Sequence, residues 1–175
     1  MSRPIRATID LAALRNNFGV ARRHAGAAQL WAVVKANAYG HGLPRAVAAL
    51  TGLADGFALI ELERAVALRE AGLESPILLL EGFYTADELP LLIRHRLIPV
   101  VHRPDQVQQL LAAGWPANLP VYLKINTGMN RLGFDAAGLA AARQALAGRG
   151  VPAVLMTHFA DADGPRGVDW QLERF

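Results

Sequence analysis

The sequence predicts an α/β fold, a partial TIM-type (β/α)8 barrel of about six βα units, and three observations carry that prediction. Six short runs are apolar throughout rather than alternating, the pattern of parallel strands buried on both faces. Helical patterns with start and stop residues lie between them, at the spacing of βα units. No Gly-x-Gly-x-x-Gly turn follows any strand, so the open doubly wound sheet lacks its dinucleotide-binding signature and the barrel is favoured.

The first piece, PIRATIDL (residues 4–11), is a strand-like segment of alternating apolar residues that calls for a partner outside these residues, and it runs into a helical stretch, LAALRNNFGVARRHAG (11–26). LWAVVK (30–35) is the first barrel strand and GFALIE (56–61) the second. ELERAVALREAG (61–72) reads as a helix closed by Gly72, where a C-cap belongs. PILLLEG (76–82) is the third strand, and Thr85 with Glu88 has capping-box spacing for the helix after it. IPVVH (98–102) precedes RPDQVQQLLAAG (103–114), with Pro104 suited to a first helical turn and Gly114 to its end. PVYLKIN (120–126) and PAVLMTHF (152–159) complete the six, and GVDWQLERF (167–175) is a final helix that stops at Phe175. A closed barrel has eight strands and about 250 residues, so the expectation is the front part of a longer protein.

Composition narrows the function classes. The 175 residues are 53% hydrophobic and 19% charged, which is globular rather than disordered. The net charge of +3 comes from dispersed arginines, with one close basic cluster at Arg22, Arg23 and His24, so nucleic-acid binding is not expected. There is no cysteine, hence no disulfide framework and no thiolate metal site. The N-terminus lacks the apolar core of a signal peptide, and no run is long enough to span a membrane. A cytoplasmic protein is the expectation.

Of the 18 basic residues only Lys35 and Lys124 are lysine, and both end apolar strand runs. An amine can be deprotonated by desolvation and can form a Schiff base or a carbamate, whereas a guanidinium stays protonated. Chemistry in parallel α/β folds gathers at the C-terminal ends of strands. There the sequence supplies Lys35, Asn37, Tyr39 and His41, then Glu61, Glu81 and His102, then Lys124, Asn126 and Arg131, and finally His158, Asp161 and Asp163.

Three readings suit these residues. Lys35 can carry Schiff-base chemistry with a carbonyl compound or pyridoxal phosphate, with Tyr39 reaching a cofactor and His158 stacking on a planar ligand. A barrel metallohydrolase would use His102, His158, Asp161 or Asp163, with Lys124 carbamylated between two metals, although no close His pair or His-Glu-x-x-His helix is present. A non-catalytic module would hold a cofactor without turning it over.

Five motifs in register then resemble one family. VVKANAYGHG (33–42), DGFAL (55–59), ILLLEGF (77–83), LKINTGMNRLGF (123–134) and THFADAD (157–163) are similar, in order and spacing, to alanine racemase, a pyridoxal-phosphate-dependent isomerase of fold type III. The resemblance covers residues 1–175 and corresponds to the N-terminal part of that family's barrel domain, without its C-terminal β domain. It implies interconversion of L- and D-alanine, supplying D-alanine for peptidoglycan or taking part in alanine catabolism, by a homodimer. It implies that Lys35 binds pyridoxal 5'-phosphate through a Schiff base and acts as a catalytic base. Tyr39 would contact the phosphate, Arg131 the cofactor phenolic oxygen and the substrate carboxylate region, and His158 the pyridine ring. Lys124 matches a position that is carbamylated in some members. No metal is implied. The family's opposite-face tyrosine comes from the C-terminal domain of the other subunit, so residues 1–175 alone are expected not to racemise alanine.

Overall fold

The computed structural model describes residues 4–175. Six strands form one parallel sheet in the order of the sequence, β1 (Trp31–Val33), β2 (Gly56–Leu59), β3 (Ile77–Leu79), β4 (Leu97–Val101), β5 (Val121–Lys124) and β6 (Ala153–Met156). A doubly wound sheet would reverse direction at a switch point, whereas this order runs straight through, as in a barrel. The result is a half-barrel in which every strand run expected from the sequence pairs with its neighbour.

The helices are α1 (Leu11–Ala25), the short α2 (Lys35–Tyr39), α3 (Leu43–Leu50), α4 (Leu62–Glu70), α5 (Leu89–Arg94), α6 (Pro104–Ala112), α7 (Ala136–Ala147) and α8 (Asp169–Leu172). Asp10 caps α1 by accepting the N–H groups of Ala12 and Ala13. The cluster Arg22, Arg23 and His24 occupies the last turn of α1, where positive charge complements the helix dipole. Pro104 opens α6, and Gly72 and Gly114 follow α4 and α6 with φ of +90° and +67°, so all three punctuation residues act as the sequence suggests.

Burial follows from sheet position. Every residue of β2, β3 and β4 is buried, because helices cover one face and the curved sheet packs on the other. Leu59, Ile77, Leu79, Leu97 and Leu123 are fully buried, and each such side chain contributes about 1.5–3 kcal/mol by transfer from water. The edge strands differ: Val33 of β1 is 44% exposed and Val154 of β6 is 42% exposed.

Two expectations are corrected. Residues 4–10 form no strand, and Ile5 is 79% exposed; nothing among the described residues pairs with this segment, so its alternation has no sheet to join. Neither half of the capping box is made. The Thr85 side chain makes no cap hydrogen bond, while the Glu88 carboxylate accepts the N–H of Tyr84 at 2.9 Å ahead of a 3-10 turn (Ala86–Glu88). Among the described residues no helix is long and apolar enough to cross a membrane.

Candidate active site

The site begins where β1 ends. Ala36, Asn37, Ala38 and Tyr39 of α2 all have φ between +50° and +56°, a left-handed turn of four non-glycine residues. Each such residue costs roughly 1–2 kcal/mol, so the turn persists only because its surroundings hold it. The Ala38 N–H donates to the Val34 carbonyl at 2.9 Å, and the Gly42 N–H to that of Asn37 at 2.9 Å. The Asn37 side-chain oxygen accepts the N–H of Leu43 at 2.8 Å, and Glu61 accepts the N–H of Ala36 at 3.1 Å. Nδ1 of His41 lies 2.8 Å from the Ala38 carbonyl. Asn37, His41 and Glu61 thus serve the turn's backbone, while Lys35 and Tyr39 reach the cavity beside it.

That cavity, of about 250 Å³, lies at the C-terminal ends of the strands. Lys35, Tyr39, Glu81, Lys124, Arg131 and His158 line it together with Val33, Ile60, Leu80, Leu132 and Met156. Apolar walls with a few convergent polar groups are the general make-up of a small-molecule site. Hollows of about 630 and 620 Å³ lie elsewhere, along α3 and α4 and at the N-terminal ends of the strands, and neither brings two amines together.

The two lysines differ in setting. Lys124 is buried, at 6% exposure, whereas Lys35 is half-buried. Burial first, then Arg131 and Lys35, pushes the Lys124 amine below the usual lysine range, and Glu81 opposes the shift. His158 sits exposed at the rim, where desolvation and then Lys124, Arg131 and Lys35 lower its imidazole from the ordinary value. Glu81 is the carboxylate of the lining, and its Oε2 accepts the Tyr84 hydroxyl at 2.6 Å. That bond, with partial burial and nearby carboxylates, pushes the Tyr84 phenol up to about 12.

Arg131 rides on a loop clamped at its base. Asn126 donates its N–H to the Phe134 carbonyl at 2.9 Å, and Phe134 donates to that of Lys124 at 2.8 Å. Within the loop the Asn126 side-chain oxygen accepts the N–H groups of Gly128 and Asn130. Neither of the two ion pairs among the described residues, Arg22–Asp55 and Arg103–Asp105, involves a residue of the cavity lining.

Besides Asn37, His41 and Glu61, four more sequence candidates lie off the lining. His102 is half-buried, with Nε2 3.2 Å from the Glu81 carbonyl, and burial lowers its imidazole. Asn126 serves its own loop, Asp161 accepts the N–H of Arg166 at 3.0 Å, and Asp163 is exposed. Among the described residues no group of three or more His, Cys, Asp and Glu is placed to hold a metal ion. The apolar lining residues and the fully buried Gln171 carry no local sequence signal and were not anticipated.

The donor set suits a planar, anionic carbonyl compound. Lys35 and Lys124 offer amines, Arg131 a guanidinium, His158 a ring and Tyr39 a hydroxyl, against the single carboxylate of Glu81.

Comparison with known proteins bears on the same region. The family model described as "Alanine racemase, N-terminal domain" matches residues 9–175. An alanine racemase of Ralstonia nicotianae is 51% identical over 178 residues, covering 100% of this chain and 47% of its own length. The crystal structure of biosynthetic alanine racemase from Pseudomonas aeruginosa superposes with a TM-score of 0.92 at 45% identity, covering 99% of this chain and 49% of its own. An alanine racemase from Bartonella henselae, solved with covalently bound pyridoxal phosphate, superposes at 0.84 with 26% identity over 95% of this chain and 48% of its own. The chain spans about half the length of the relatives it matches.

Proposed function

The chain belongs to the alanine racemase family, and from that premise we propose that it supplies the lysine half of an amino-acid racemase site that uses pyridoxal 5'-phosphate. The observation that carries the reading is the convergence of Lys35, Lys124, Arg131, His158 and Tyr39 on one cavity. In the full protein, a homodimer, the reaction is the interconversion of L- and D-alanine, which supplies or consumes D-alanine.

Lys35 would hold the cofactor through its Nζ, Tyr39 its phosphate, Arg131 its phenolic oxygen and His158 its ring. When bound, the cofactor supplies a conjugated electron sink that acidifies the Cα–H of an amino acid joined to it. Lys35 Nζ, once free, accepts that proton on its own face, and inversion follows when a second group returns a proton on the opposite face. Arg131 orients the substrate carboxylate. The left-handed turn fixes the spacing of Lys35 and Tyr39, so orientation is set before substrate arrives. Val33, Leu80, Leu132 and Met156 form the apolar wall beside the amine.

Lys124 has a separate role. Its neutral Nζ attacks carbon dioxide, forming an N–C bond and releasing a proton to solvent, and the resulting carbamate anion holds the Arg131 guanidinium.

Titration of the 175-residue chain with pyridoxal phosphate, followed by visible absorption, tests the reading. A saturable protonated-imine band that Lys35→Ala abolishes and Lys124→Ala spares is expected. Equal bands in the wild type and Lys35→Ala would overturn it.

A further inference from the structure

We propose that Gln171 is a positioning residue that fixes His158 and the Arg131 loop across the β5–β6 side of the cavity. The inference rests on reading that cavity as the cofactor site. Gln171, in the short α8, is fully buried. Its Oε1 accepts the Ala160 N–H at 2.6 Å, and its Nε2 donates to the Thr127 hydroxyl at 2.9 Å and to the His158 carbonyl at 3.0 Å. Both amide N–H groups are therefore used, and a flipped amide would set oxygen against a carbonyl and NH2 against an N–H.

The bonds form a directed chain. The Thr157 hydroxyl donates to the Ile125 carbonyl at 3.1 Å, so its oxygen accepts from the Thr127 hydroxyl 2.7 Å away. Thr127 has then spent its proton, and its oxygen accepts from Gln171. One side chain thereby ties the residue bearing the His158 imidazole to a loop that ends in Arg131. Displacing Thr127 moves Arg131, because the Asn126 turn and the Phe134 clamp leave that loop no slack.

The test uses the cofactor-free 175-residue chain. Gln171→Met removes the bonds without adding charge, and Thr127→Val cuts one link while keeping Gln171. NMR titration of the His158 imidazole is the main readout, with thermal unfolding alongside. Lys35, Lys124, Arg131 and Glu81 are the charged groups of the lining that His158 shares. If Gln171 holds His158 at that lining, where desolvation and then Lys124, Arg131 and Lys35 lower its imidazole, Gln171→Met raises its pKa toward the ordinary value of about 6.5, and Thr127→Val raises it less. Pyridoxal phosphate affinity falls by about tenfold in Gln171→Met. A merely structural role would lower the melting temperature in both variants and leave the His158 titration and the affinity of Thr127→Val at wild-type values, which overturns the proposal. Should Gln171→Met fail to fold, Thr127→Val decides the matter by the same readouts. The His158 titration needs no cofactor, so failure of the wild type to bind pyridoxal phosphate would count against the site reading and not against Gln171.

Discussion

A carboxylate oxygen of Glu61, just past β2, accepts the backbone N–H of Ala36 at 3.1 Å, so the neighbouring strand holds the left-handed turn that follows Lys35. Burial works to raise the Glu61 carboxyl, but the N–H groups of Glu61, Ile60 and Ala36 and the charge of Arg64 outweigh it and hold it below the usual range. A carboxylate whose folded pKa is depressed contributes stability above its unfolded pKa and loses it as pH falls through the folded value. Glu61→Ala is expected to cost about 1–2 kcal/mol at neutral pH, and the wild-type advantage over Glu61→Gln to shrink below about pH 4. Urea unfolding of the three proteins across pH 3–7 checks this, and a pH-independent difference would refute the assignment.

The depressed amine of Lys124 leads to a prediction about carbon dioxide. Carbamylation consumes the neutral amine, so occupancy rises with pH through the lowered pKa of Lys124 and reaches completion at a lower pH than a free lysine would need. In 13C-bicarbonate, the wild type is expected to show one carbamate resonance that Lys124→Arg removes and Lys35→Arg keeps. A resonance lost with Lys35 instead would reverse the roles of the two lysines.

Gly133 is a close approach of backbone to backbone in the Arg131 loop. Its φ is +127°, and a Cβ there would stand 2.6 Å from the Asn126 nitrogen and 2.8 Å from the Ile125 carbonyl carbon, both backbone atoms that cannot swing away. Gly133→Ala is expected to destabilise the chain by about 2 kcal/mol or more and to weaken pyridoxal phosphate binding by displacing Arg131. Melting curves and a cofactor titration check both effects, and a Gly133→Ala protein with native melting and affinity would show the loop to be pliable.

Much of this organisation is legible in the residues. The six strands announce themselves as continuous apolar runs, and Pro104, Gly72 and Gly114 mark helix ends by φ preferences that act locally. Lys35, Tyr39, Lys124, Arg131 and His158 sit at or just past strand ends and line one cavity. PIRATIDL misleads because alternation says nothing about whether a partner strand exists, and Thr85 because a capping box requires a rotamer that spacing cannot specify. Nothing within KANAY signals its left-handed turn, which depends on Glu61 of the next strand end as well as on the local bond from Leu43 to Asn37. Gln171 is one amide in the final helix, and its burial arises from α8 folding over the ends of β5 and β6.

The central claim, that Lys35 is the cofactor-bearing amine, is tested most directly by trapping. The 175-residue chain is incubated with pyridoxal phosphate, reduced with borohydride and digested, and the pyridoxyl group is located by mass spectrometry, with Lys35→Ala in parallel. Saturable labelling confined to Lys35 and lost in Lys35→Ala is expected. Labelling that falls on Lys124, or that Lys35→Ala leaves unchanged, would contradict it.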